Sequence, residues 1–376
     1  MNGSQSIYVV AGESSGDARG AELLRALKVE MPGLKILGAG GPQMQALADG
    51  PFLEWSGEAV VGIWDVLKKY GYFKSQMDRM LAEIEATQPT GLLLIDYPGF
   101  NLRLAKAAKA RIPSLKTFFY ISPQVWAWNQ GRIPKMAEYL DLMLCIFPFE
   151  KDLYQASGLN TQCVGHPMLD TLAPLKTGQP RVENLVGLFP GSRDREVRRL
   201  FPVMLEAARR LSATQPGLRF EAPAANARVA AWMLDYMTAR NFDPAFCRIG
   251  MDRFYPLVQE AAAGMVCSGT ATLEAAYFGL PMLITYKVAP LTWAAGRLLV
   301  RIPHIGMPNV LAGRQIAPEF LQGAASPGRL AAAMHRLLAD PAARQAQQSA
   351  FEEIIAGLGE PGAGVRAARA VAVALK

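Results

Sequence analysis

Short apolar runs alternate with longer stretches whose apolar residues recur at helical spacing, and the alternation repeats along most of the chain. Residues 7–11, 35–38, 91–96, 117–121 and 140–147 read as strands. The run GLLLID at 91–96 is continuously apolar and closes on an acid, the pattern of a parallel strand buried on both faces. A helix is expected from about Arg19 to Glu30. A second series begins after Asp170, with strands at 185–189, 219–222, 264–268 and 282–286. Its helices are expected over 196–214, 331–338, 343–357 and 365–375. Residues 173–184, rich in Pro, Gly and polar side chains, read as a linker. Strands alternating with helices predict doubly wound parallel sheets. The chain therefore reads as two Rossmann-like α/β domains, residues 1–168 and 169–349. The tail helix, about 350–376, is expected either to pack back on the first domain or to dock on a partner chain in a homodimer.

Composition changes this picture in three ways. With 51% hydrophobic and 19% charged residues, the 376-residue chain has the material for two full cores and is not disordered. The net charge of +7 suits acidic small molecules or an anionic membrane surface as well as nucleic acid. A stretch free of charge at 153–169 contains Gln, Asn, His and Gly, so no membrane span is expected there. The N-terminus lacks the basic start and cleavage site of a secretory signal. The four cysteines and three histidines have neither C-x-x-C nor zinc-ligand spacing, so no metal and a reducing, cytoplasmic setting are expected.

In doubly wound sheets ligands bind beyond the carboxyl ends of the strands. Five loops follow expected strands and are expected to face one another across an interdomain cleft. GESSGD (12–17) lacks the G-x-G-x-x-G spacing of a dinucleotide loop, so no nicotinamide or flavin cofactor is indicated. It is either an ordinary turn or a polar substrate loop. In DYPGFN (96–101), Asp96 ends a hydrophobic strand, where partial desolvation raises basicity. It either accepts a proton from a hydroxyl nucleophile, caps a helix starting near Asn101, or pairs with a basic side chain. PGSR (190–193) opens a helix whose N-terminus and Arg193 suit a phosphate, without the lysine of a P-loop. SGTATLE (268–274) offers a second anion site, with Glu274 one turn inside, placed to accept ribose hydroxyls; capping serine and solvated glutamate is the plainer use. The fifth, SPQVW (122–126), lies in an aromatic stretch, YISPQVWAW (120–128), that either packs in a core or lines an apolar-ligand pocket.

Two segments combine aromatic, apolar and basic residues on one amphipathic face. In 60–73 these are Val60, Ile63, Trp64 and Leu67 beside Lys68 and Lys69. In 291–302 they are Trp293, Arg297 and Arg301. Such stripes serve either as core faces or as interfacial helices.

Together the loops VAGESSGD, GAGGPQM, IDYPGFN, YISPQVWAWNQGR, PFEKDLY, VGHPMLD, FPGSRDREV, SGTATLEA and PNVLAGR resemble the lipid-A-disaccharide synthases of Gram-negative bacteria, in the family's order over most of the chain. The resemblance implies a GT-B glycosyltransferase fold. It implies inverting, metal-independent and cofactor-free transfer of 2,3-diacylglucosamine from its UDP derivative to 2,3-diacylglucosamine 1-phosphate. Residues 1–168 would bind the acceptor and 169–349 the UDP-sugar. Asp96 would be the base, with Glu13 the second candidate. Gly191, Ser192, Arg193, Ser268, Gly269, Thr270, Thr272, Glu274 and Asn309 would hold the nucleotide. Ser14, Ser15, Gly16, Asp17, Asn101, Gln124 and Trp126 would hold the acceptor. Val60, Ile63, Trp64, Leu67 and Trp293 would meet acyl chains or the inner membrane, to which a cytoplasmic enzyme would attach peripherally. Family members often carry an acid at Gly99 and an arginine at Asn129, so Asp96 would bear more of the weight as base, and the resemblance does not carry over one contact to an acidic substrate group. Nucleic acid has no place in this reading. A different UDP-sugar enzyme of the same fold, such as an N-acetylglucosamine transferase or 2-epimerase, is the alternative; a non-catalytic sugar-nucleotide sensor is another.

Overall fold

Two all-parallel sheets dominate the structure, a computed structural model that describes residues 5–55, 70–299 and 302–376. The chain divides into one unit of Met1–Asp170 with Leu358–Lys376 and a second of Thr171–Gly357. The first holds seven strands: β1 (Ser6–Ala11), β2 (Lys35–Gly40), β3 (Phe52–Glu54), β4 (Gly91–Ile95), β5 (Lys116–Tyr120), β6 (Leu142–Cys145) and β7 (Thr161–Cys163). Their order is β3-β2-β1-β4-β5-β6-β7. The second unit holds β8 (Val182–Phe189), β9 (Arg219–Ala224), β10 (Cys247–Met251), β11 (Ala261–Cys267), β12 (Met282–Tyr286) and β13 (Glu319–Leu321), ordered β10-β9-β8-β11-β12-β13. The central strands are buried along their length, as their unbroken apolar runs require.

In each sheet the strand order reverses once, and the reversal places the loops. In the first sheet it falls between β1 and β4, so GESSGD and the loop after β4 emerge side by side. In the second it falls between β8 and β11, which does the same for PGSR and SGTATLE. Such switch points are where doubly wound sheets open a crevice for ligands.

The tail departs from its expected extent. Residues 350–356 belong to the helix Pro341–Ala356 of the second unit, and the final helix is Ala363–Leu375. Ala363, Ala367, Val371 and Leu375 recur at four-residue spacing and are all buried. They pack the helix onto Ser14–Glu30 in the first unit, so this face is taken within the chain and is not left for a partner. Among the described residues, no helix is long and apolar enough to cross a membrane.

Candidate functional site

The first unit gathers two carboxylates at its switch point. The Ser14–Glu30 helix starts five residues earlier than expected, so the loop's second half is its first turn. Glu13 is its extended N-cap, with no capping hydrogen bond from its side chain; neither serine is the N-cap. Gly12 lies against the Tyr97 ring, where an added Cβ would come 2.4 Å from Cδ1. Asp96 and Tyr97 both take left-handed backbone conformations, φ 49° each, costly for non-glycine residues. Asp96 does not cap: the following helix starts at Pro98, with Tyr97 at its N-cap. Burial pushes the Asp96 carboxyl above its ordinary range, the Tyr97 N–H opposes this, and the Glu13 charge adds to the rise. Burial and Glu13 likewise raise the Tyr97 phenol.

Three residues expected at the acceptor are engaged elsewhere. Asp17 is 2% exposed. Its carboxylate accepts the Gly41 and Met44 N–H groups through Oδ1, at 3.0 and 2.9 Å, and the Gln43 N–H through Oδ2 at 3.1 Å. It ties the loop after β1 to the one after β2. Asn101 is fully buried and donates to the Ile95 and Asp96 carbonyls at 3.2 and 2.7 Å, bracing the strained turn. Trp126 is buried, and its Nε1 donates to Glu150 at 2.9 Å. Ser14, Ser15 and Gln124 are exposed, and Gly16 is buried at the start of its helix. Trp128, at 46% exposure, is the open indole of this loop.

Glu150 itself was not singled out in the sequence. It is 0% exposed and accepts from Ser122 Oγ at 2.6 Å, Trp126 Nε1 at 2.9 Å and the Phe147 N–H at 3.2 Å. These donors favour the charged form, but burial outweighs them and carries the carboxyl up to about 7. The signal was present in the PFEKDLY motif, but partners 24 and 28 residues away were not readable.

The second unit encloses a cavity of about 520 Å³ at its switch point, lined by residues that include Gly191, Ser192, Arg193, Ser268, Gly269, Thr270 and Glu274. That volume lies in the range of small-molecule sites. Two helices, Asp194–Thr214 and Thr270–Tyr277, have their N-caps, Arg193 and Gly269, in its lining, and a helix N-terminus carries partial positive charge. Gly269 is the N-cap of the second at φ 146°, a region that residues with a Cβ rarely adopt. The Arg193 guanidinium pairs with Glu196 at 3.2 Å and is 66% exposed. Tyr255 Oη donates to Glu274 at 3.3 Å.

Thr272 and Asn309 do not take the places expected of them. Thr272 is fully buried, and its hydroxyl donates to the Gly269 carbonyl at 2.8 Å. Asn309 is fully buried too, with its side-chain amide engaged by protein groups. The sequence reading missed Tyr255, Phe254 and Asp252, which line the cavity after β10; that edge strand, CRIGM, interrupts its apolar residues with Arg248 and Gly250 and so shows no continuous apolar run. Val60, Ile63, Trp64 and Leu67 lie outside the described residues. Trp293 sits half-buried on the helix Pro290–Leu299 of the second unit.

A family model described as lipid-A-disaccharide synthetase matches residues 7–372. The lipid-A-disaccharide synthase of Syntrophus aciditrophicus is 39% identical over 373 residues, covering 97% of this chain and 96% of that protein. That of Geobacter metallireducens is 38% identical over 371 residues, covering 96% and 95%. The chain belongs to the lipid-A-disaccharide synthase family. It is an enzyme of the glycosyltransferase class. Solved structures similar to it include Staphylococcus aureus MnaA with UDP, at TM-score 0.62 and 12% identity over 98% of this chain and 95% of that one. A putative UDP-N-acetylglucosamine 2-epimerase from Listeria monocytogenes has TM-score 0.60 and 14% identity, covering 98% of this chain and 95% of that one. At such identities the likeness speaks for the fold alone, which is GT-B.

Proposed function

We propose that the chain transfers 2,3-diacylglucosamine from UDP-2,3-diacylglucosamine to 2,3-diacylglucosamine 1-phosphate, giving the β(1→6) disaccharide 1-phosphate and UDP. The observation that carries this reading is the family match along residues 7–372. The acceptor 6-hydroxyl attacks the anomeric carbon in line while UDP leaves from the opposite face, inverting the centre. Asp96 takes the hydroxyl proton, and its raised proton affinity suits a general base. Glu13 is the second carboxylate within electrostatic reach. On the donor side, the cavity of the second unit takes the nucleotide. Its two helix N-termini, Arg193 and the hydroxyls of Ser192 and Thr270 face the growing negative charge on the leaving diphosphate, and Glu274 accepts the ribose hydroxyls.

Both substrates carry acyl chains, and the chain's net charge is +7. We therefore place the work at the anionic cytoplasmic face of the inner membrane, with peripheral attachment. The deciding experiment supplies the two lipid substrates together and looks for the disaccharide 1-phosphate by mass spectrometry. Its absence, with UDP-N-acetylglucosamine consumed instead, would favour another UDP-sugar enzyme of this fold. Co-sedimentation with anionic against neutral liposomes tests the attachment.

A further inference from the structure

Glu319 opens the edge strand β13, beside Ile284 of β12, and its side chain is 8% exposed. Its carboxylate accepts the Ile305 N–H at 3.1 Å, the Gly306 N–H at 3.0 Å and the Asn309 Nδ2–H at 2.7 Å. His304 Nδ1 stands 3.9 Å away. Asn309 completes the knot: it donates also to the Ala317 carbonyl at 2.8 Å and accepts the Ile316 and Ala317 N–H groups at 2.8 and 2.9 Å. A carboxylate anchored in the sheet thus fixes the turn at residues 304–306.

That turn leads to the cavity. The Ile305 carbonyl accepts the Ser268 hydroxyl at 3.0 Å, and the Ser268 N–H donates to the Thr285 carbonyl at 2.8 Å. Ser268, Gly269 and Thr270 line the cavity where the Thr270–Tyr277 helix begins. Glu319 does not line it, so its influence passes through Ile305 and Ser268.

We propose that Glu319 is a positioning residue for the sugar-nucleotide cavity: by pinning the 304–306 turn it holds the carbonyl that orients Ser268 and the loop Ser268–Thr270. The inference rests on the reading that this cavity takes UDP. Glu319→Gln keeps the shape but turns an NH₂ group toward N–H donors, misplacing the turn. Glu319→Asp keeps the charge but is one methylene short.

The test is a double-mutant cycle on UDP affinity by calorimetry, well below each variant's unfolding temperature. Glu319→Gln should weaken UDP binding about tenfold, and raise the KM for the UDP-sugar while leaving that for the acceptor unchanged. In a Ser268→Ala background the same change should cost less than about twofold, because the route through the hydroxyl is already cut. Glu319→Asp should fall between wild type and Glu319→Gln, and serves where the latter does not fold. UDP affinity that stays at the wild-type level in the folded variants overturns the inference, as do effects of Glu319→Gln and Ser268→Ala that simply add. Failure of the wild type itself to bind UDP overturns the cavity's assignment, and this inference with it.

Discussion

Asp96 and Glu13 are two like charges close enough to raise the proton affinity of Asp96, and this makes their roles separable by experiment. Asp96→Asn should lower turnover by roughly 10²–10⁴-fold, the usual worth of a general base, while UDP affinity by calorimetry stays unchanged. Because the base must be deprotonated, kcat/KM should fall as pH drops through a pKa above the ordinary carboxylate range. Glu13→Gln removes one of the causes of that elevation, so the acid limb should move to lower pH. If Glu13→Gln instead abolishes turnover at every pH and Asp96→Asn does not, Glu13 is the base. Glu150 offers a separate proton. Its carboxyl moves from an ordinary 4.5 to about 7 in the folded protein, so the folded state binds that proton more tightly than the unfolded chain. The stability it contributes is full below about 4.5 and is lost as pH rises through about 7. The shift corresponds to roughly 3 kcal/mol. Urea denaturation of wild type and Glu150→Gln at pH 5 and pH 8 should show the wild-type advantage shrinking by about that amount. A difference that does not change with pH would rule out a buried, protonated Glu150.

At the scale of elements, the site depends on how strands hand over to helices. Gly269 stands at φ 146° with open space where a Cβ would go, so an alanine there meets no clash and pays only in backbone strain, on the order of 1–3 kcal/mol. Relief comes by twisting the Ser268–Thr270 turn. Gly269→Ala should therefore weaken UDP binding about tenfold while the unfolding temperature drops by only a few degrees; unchanged UDP affinity would mean that the nucleotide does not use this turn. The same handovers explain what the sequence made legible. β1, β4, β8 and β11 are buried central strands whose apolar runs stand out, and the four loops that follow them carry Glu13, Asp96, Arg193 and Glu274. The edge strands β3, β7, β10 and β13 have three to five residues and admit Glu, Gln and Arg, so no pattern announced them. Tyr255 and Glu319, which follow or open such strands, went unseen for that reason. Asp17 and Asn309 were noticed for a ligand, but their side chains bond within the fold. Their partners lie 24 to 27 and 7 to 10 residues away, and only the folded chain shows that a side chain is already fully used.

At the scale of the molecule, the chain runs through the first unit, builds the second, and returns to finish the first with Ala363–Leu375. Small residues make the return possible: Gly364 brings the helix so near that an added Cβ would lie 3.4 Å from the Glu22 Cβ. The partner helix, Ser14–Glu30, begins immediately after Glu13, and the tail meets it further along, at Glu22 and Glu30, so the tail reaches the carboxylate site only through that helix. Two valines on the tail face opposite ways. Val371 is 0% exposed and Val373 is 71% exposed. Val371→Asp buries an unpaired carboxylate, at a cost of several kcal/mol, whereas Val373→Asp should stay within about 0.5 kcal/mol of wild type. Chemical denaturation followed by tryptophan fluorescence measures both. Because the tail packs on the helix that follows Glu13, and the cavity proposed for the nucleotide is lined, among the described residues, by the second unit, Val371→Asp should lower turnover while UDP affinity stays within about twofold. Loss of UDP binding in step with turnover would show instead that the tail's packing governs the second unit as well.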